Sequence, residues 1–165
     1  MSVKVNRPDV TVLFRHGYSA DEDVRPLDLR TLLTKSRLAG ALQNGAESRD
    51  IKIDAKASIV SGIGARRVVV DMTIDAARIT FSSEGDQRTA ALDVRVFVGD
   101  DKEKPIGEMS ENIDLAVTEA QRQRLVKDGI RYTARVPIDG EPKYAKVVIY
   151  DYRADLLGTL MIKLR

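Results

Sequence analysis

The chain has 165 residues, with 27 Lys and Arg against 25 Asp and Glu, a net charge of +2, a single His and no Cys. That length suits one domain, alone or with an appendage, large enough to bury roughly two thirds of its unfolded surface. The missing Cys excludes thiol catalysis, thiolate metal sites and disulfides, the interspersed signs of charge argue against a nucleic-acid partner, and no stretch approaches the roughly 18 apolar residues a membrane-spanning helix needs.

The chain opens in a strand pattern, with Val3 and Val5, then Asn6-Arg7-Pro8-Asp9, then Val10, Val12 and Phe14. No apolar signal-peptide core precedes it, so the start reads as a sheet entered midway and the chain as a piece of a longer protein. An acidic stretch, Asp21-Glu22-Asp23, runs to Pro26. A helix is predicted over about 28–43, with Asp28 accepting the free N–H groups of its first turn and Asn44-Gly45 supplying a left-handed stop. Leu29, Leu32, Leu33, Ala39 and Leu42 are expected to form its apolar face, covered either by the rest of the chain or by an upstream domain. We read residues 1–47 as an extension and 48–165 as the main domain.

From residue 51 onward apolar residues fall on alternate positions, the pattern of a strand with one buried and one wet face. Ile51, Ile53, Ala55, Ala57 and Ile59 alternate with Lys52, Asp54, Lys56 and Ser58, and Val68, Val70, Met72 and Ile74 follow a Gly-rich turn at Ser61-Gly62-Ile63-Gly64. These two runs predict a hairpin. A short strand is expected at Ile79 to Phe81, and another where Ala90, Leu92, Val94, Val96 and Val98 alternate with Asp93 and Arg95. The pattern weakens after Met109 and recovers at Ile113, Leu115 and Val117. Thr118-Glu119-Ala120-Gln121 then forms a capping box for a short helix stopped at Gly129 and crossing between sheets. Ile130 to Ile138, Tyr144 to Tyr152 and Leu160 to Leu164 close the chain. The middle one is apolar on both faces and reads as a central strand. Seven or eight short strands with few helices predict an all-β, immunoglobulin-like antiparallel sandwich of two sheets.

The candidate chemical groups are sparse. His16 is the only histidine and reads as a turn residue at a strand end. Asp71, Thr73 and Asp75 share one face of one strand, but successive outward residues are about 7 Å apart and need a second element to hold an ion. Asp100-Asp101-Lys102-Glu103-Lys104 lacks the alternating ligands and central Gly of a calcium loop. Glu108 and Glu111 are the one pair that invites comparison with glycoside hydrolysis, with nothing in the sequence to set their separation. There is no Gly-rich phosphate loop and no nucleophile elbow. No catalytic residue, metal or cofactor is therefore assigned. Tyr144, Tyr150 and Tyr152 are the residues most suited to contact a ligand or partner; the competing reading places Tyr144 at the start of a central strand and Tyr150 in the core with its hydroxyl at the rim.

Several stretches taken together, Val3 to Val12, Arg15-His16-Gly17-Tyr18-Ser19-Ala20, Tyr132-Thr133-Ala134-Arg135-Val136-Pro137 and Val147-Val148-Ile149-Tyr150-Asp151-Tyr152, resemble the region that follows the von Willebrand factor A domain in the VWFA-related proteins of Acidobacteria. The resemblance implies a secreted or cell-envelope protein, with an adjacent A-type domain or another envelope protein as partner. The adhesion signature of A domains, Asp-x-Ser-x-Ser, is absent, so metal-dependent adhesion is not carried over. The expected function is a non-enzymatic spacer or protein-interaction module; the alternative is a carbohydrate-binding module that uses exposed tyrosines.

Overall fold

The computed structural model describes residues 29–43, 47–62 and 65–164. The expected N-terminal strands, His16, Asp28, the Asn44-Gly45 stop and the Ile63-Gly64 part of the turn lie outside them. In chain order the elements are α1 (Leu29–Gln43), β1 (Ile53–Gly62), β2 (Ala65–Ile74), β3 (Ser82–Glu84), β4 (Gln87–Gly99), β5 (Pro105–Val117), α2 (Glu119–Asp128), β6 (Ile130–Ile138), β7 (Tyr144–Asp151) and β8 (Leu156–Lys163).

The alternation in β1 and β2 makes the predicted hairpin, antiparallel from Ile53↔Ile74 to Gly62↔Ala65. Its register is fixed because a slip of one residue would turn the apolar set outward. β6 adds to the far edge of β2, giving a three-stranded sheet in the order β1-β2-β6. In the second, five-stranded sheet, β4 pairs with β5 along nearly its whole length. Its other edge is shared by β3 near the start and β7 near the end, and β8 closes that side beyond β7. The two antiparallel sheets face each other as an immunoglobulin-like sandwich. Val68, Val70, Met72 and Ile74 of β2 meet Leu92, Val94, Val96 and Val98 of β4 and Ala145, Val147 and Ile149 of β7 in one core. Burying residues of this size contributes about 1.5–3 kcal/mol each, which supplies most of the force closing the sandwich.

α2 carries the chain from β5 in one sheet to β6 in the other, as its capping box predicts. Thr118 accepts from the Gln121 backbone N–H while the Gln121 side chain accepts from the Thr118 N–H, and the helix stops at Gly129 with φ at 77°. Glu119 receives both Arg122 and Arg88, tying α2 to β4. Hydrogen bonds from Arg122 first and Arg88 second hold its carboxyl down to about 2.

One feature takes up an alternative that the sequence left open, and three differ from its reading. First, α1 packs on the outer side of the five-stranded sheet, so the described chain has three layers. β7 is buried on both faces for that reason: Val148 and Tyr150 point away from the main core into a second cluster with Leu38 and Ala41. Second, α1 buries Thr34, Leu38 and Ala41, whereas Leu32, Leu33 and Ala39 of the expected apolar face are exposed. The sheet beneath α1 offers Lys146 as well as Val148 and Tyr150, and the buried Lys146 ammonium donates to the Ala41 carbonyl at 2.6 Å near the end of the helix. A helix C-terminus leaves such carbonyls unpaired and favours a cation.

Third, Ile79 and Phe81 lie in the connection before β3 and not in a strand. Fourth, β5 is one continuous strand through the region where the pattern weakens. It is polar there because it is a sheet edge, where charged side chains discourage pairing with other chains. Ile51 precedes β1 and is 1% exposed, packed where the 49–51 segment bridges to β8 at Arg49↔Gly158. A Cβ on Gly158 would collide with the Ile51 carbonyl oxygen, so this crossing requires glycine.

Candidate interaction surfaces

The polar groups of the sandwich are distributed by strand alternation, and that separates most of the candidates. In β5, Glu108 pairs with Phe97 and points to the outer side, while Glu111, three positions on, faces the opposite way. The two carboxylates therefore cannot flank one bond. Glu111 accepts a hydrogen bond from the Tyr132 hydroxyl of β6, bridging the two sheets at their open side. An inward-facing charge on an edge strand also hinders the addition of further strands. Asp71 accepts from the Thr133 hydroxyl at 2.6 Å. Asp75 turns to accept from the Ala77 N–H at 2.8 Å. Asp71 and Asp75 thus serve different local bonds. Asp100 folds its own loop by accepting from the backbone N–H groups of Lys102 and Lys104, both at 2.9 Å.

The three tyrosines do not form a platform. Tyr150 is 1% exposed beneath α1 and is closed to any ligand, which corrects its place among the candidate contacts. It donates to Asp155 at 3.0 Å, and Asp155 also receives the Arg37 guanidinium of α1, so the same carboxylate fastens helix and turn. Arg37 first and Tyr150 second hold the Asp155 carboxyl below its usual range. Tyr152 is half-buried and meets Tyr150 edge to face, with centroids 6.5 Å apart. Tyr144 lies at the far end of β7, half-buried over Gly99, where any added Cβ would strike its ring. Its hydroxyl points to the Glu103 carbonyl at 3.4 Å. Tyr144 begins the strand, as one sequence reading had it, and Tyr150 buries its ring with the hydroxyl at the rim of the α1 cluster.

Two tyrosines make a pH prediction. Burial first, then the bond to Glu111, pushes Tyr132 up to about 12, and burial first, then the bond to Asp155, pushes Tyr150 up to about 12. A phenol whose folded pKa is raised favours folding below its ordinary pKa of about 10, and that contribution is lost as pH rises through the folded value. Absorbance at 295 nm is expected to show two of the five tyrosines of the chain ionising only near pH 12, and thermal stability to fall between about pH 10 and 12. Tyr132→Phe and Tyr150→Phe should each remove one late-titrating group. A titration complete by pH 11 in the folded protein would contradict the burial assigned to both phenols.

The outer side of the three-stranded sheet is a surface that no described element covers, and sequence spacing did not single it out. Cross-strand register builds it in rows: Asp54, Thr73 and Arg131; Lys56, Asp71 and Thr133; Ser58, Val69 and Arg135; Val60, Arg67 and Pro137. A shallow depression of about 370 Å³ lies over the first two rows. Lys56, Arg67, Arg131 and Arg135 are all exposed. None of these four cations forms an ion pair with a described residue; Arg37, Arg49, Arg66, Arg88 and Arg122 do. The alternation of β1, β2 and β6 carries the only available signal for this face, but pairing order was needed to bring the residues together.

No family model matches the chain. No curated protein matches it. Among solved structures, a beta-glucuronidase from glycoside hydrolase family 2 is similar at 11% identity over 68% of this chain, with a TM-score of 0.41. The match spans only 11% of that enzyme's chain, and a likeness of this degree carries no argument about activity here. Among the described residues no helix is long and apolar enough to cross a membrane.

Proposed function

We propose that this chain is a non-enzymatic immunoglobulin-like module that holds or binds another protein, within a secreted or cell-envelope protein of the VWFA-related kind. The observation that carries this reading is the separation of its reactive side chains. Glu108 and Glu111 face opposite ways, Asp71 is engaged by Thr133, and Asp100 closes its own loop. Catalysis by acid–base or nucleophilic steps needs several such groups within hydrogen-bond reach of one reacting atom. Sandwiches of this kind serve many unrelated purposes, so the reading rests on the surfaces and not on the fold.

Among the described residues one sheet is covered by α1 while the outer side of the other carries no covering element, which suits that side to meet a neighbour. The partner in this reading is an adjacent A-type domain or another envelope protein. A panel of chromogenic esters, phosphates and glycosides, with glucuronides included, is expected to show no turnover above buffer. Turnover that co-purifies with the chain and disappears in Glu108→Gln or Glu111→Gln would overturn the non-enzymatic reading.

A further inference from the structure

We infer that the open face of the β1-β2-β6 sheet docks an acidic segment of a partner protein, and that Arg67 and Arg135 grip it around a small apolar centre. This rests on the protein-binding reading above and specifies its surface and the chemistry of the partner. Arg67 lies between Val60 and Pro137 in one row, and Arg135 lies beside Val69 and Ser58 in the next. On one face of a sheet, diagonal neighbours in adjacent rows stand about 7–8 Å apart, within reach of long side chains. The two arginines therefore stand beside an apolar strip of the exposed Val60 and Pro137 and the half-buried Val69, with Val60 44% exposed.

Four cations, Lys56, Arg67, Arg131 and Arg135, occupy the face against two carboxylates, Asp54 and Asp71. The excess of two positive charges on this one face equals the net charge of the whole chain, +2. Asp71 is engaged with Thr133, and no cation of the face is in an ion pair with a described residue. Arginine in this state offers a planar fork that matches a carboxylate through two parallel hydrogen bonds, while its methylene stem packs along apolar surface. Arginine is among the residues enriched at the energetic centres of protein interfaces. The interleaved Asp54 and Asp71 disfavour a uniform polyanion such as a nucleic acid or a polyuronate, because each would set like charges together. A protein segment that alternates carboxylates with short apolar side chains meets both the arginines and the strip.

The test uses the chain as it stands and a fluorescein-labelled peptide alternating Glu and Val over eight residues. Fluorescence anisotropy at low salt is expected to show saturable binding that weakens at least tenfold in the Arg67→Glu/Arg135→Glu variant. An exposed control on α2, Arg124→Glu, should bind as the parent does. Backbone amide shifts on titration should concentrate at residues 58–60, 67–69 and 135–136. No binding, or binding undiminished in the double variant, would overturn the proposal. Equal or tighter binding of poly-glucuronate or single-stranded DNA would overturn it in favour of a polyanion site. Matching circular dichroism and melting curves for the variant and the parent separate lost binding from lost folding. Loss of the acidic-peptide site with no turnover in the substrate panel would leave the broader module reading standing, whereas turnover would remove that reading by itself.

Discussion

Deleting residues 1–45 is expected to lower the melting temperature of the remaining sandwich by about 10 °C and to reduce its solubility. α1 is the lid on the outer face of the five-stranded sheet. Without it, Val148 and Tyr150, now 0% and 1% exposed, are uncovered together with the Lys146 side chain. Re-exposing side chains of this size costs about 1.5–3 kcal/mol each, and about 1 kcal/mol corresponds to a few degrees for a chain of this length. The deletion also removes the Arg37 to Asp155 ion pair, but that pair is half exposed and contributes little by comparison. Leu38→Asp provides a gentler version, since Leu38 is 4% exposed against Val148 and Tyr150. It should release the helix, lower the midpoint and increase binding of a hydrophobic dye. Thermal circular dichroism on both variants decides the matter, and an unchanged midpoint with full solubility in both would mean that α1 does not hold this face.

Asp151→Ala is expected to cost about 3 kcal/mol, the largest single-residue effect at a polar position of this fold. Asp151 ends β7 and is 1% exposed. Its carboxylate accepts from Thr80 N–H at 2.8 Å on one oxygen, and from Arg153 N–H at 2.9 Å and Ala154 N–H at 3.4 Å on the other. One side chain therefore closes the β7–β8 turn and fastens the connection between β2 and β3. Removing it leaves three part-buried backbone donors without their partner beside a 1% exposed site, and each such loss costs up to about 1–3 kcal/mol. Asp151→Asn keeps the volume but turns one acceptor into a donor, so it should fall between the parent and Ala. Urea unfolding monitored by tyrosine fluorescence would give the values, and an Ala variant within about 0.5 kcal/mol of the parent would show that water replaces the carboxylate without penalty.

The hairpin of β1 and β2, the capped α2, the central place of β7 and the sandwich class were all legible in the sequence. Each depends on residues near one another in the chain: period-two alternation, Thr118 three positions before Gln121, Gly129 at the stop. The candidate surface was not legible in the same way. Arg67 and Arg135 are far apart in sequence and join one patch only because β6 pairs with β2 in a particular register. Asp151 likewise reads as an ordinary strand-end carboxylate until the connection before β3 is brought to it. The α1 face was misread for a related reason. Leu32, Leu33 and Ala39 make a plausible apolar stripe, but the helix rolls toward Thr34, Leu38 and Ala41, where Lys146 can meet the Ala41 carbonyl.

By itself, then, the sequence determined most of the described strands, which side of each of these is wet, and where α2 begins and ends. Those properties come from local sterics, backbone hydrogen bonding and the alternation of side chains along an extended chain. Tertiary structure alone decided which strands are neighbours, which sheet face α1 covers and which face no described element covers. These depend on non-local pairing and on the summed burial of many side chains, quantities that no single stretch of sequence contains. The function proposed here rests on that second class of facts, because the arginines and apolar residues of the open face exist as a surface only after the sheet has formed.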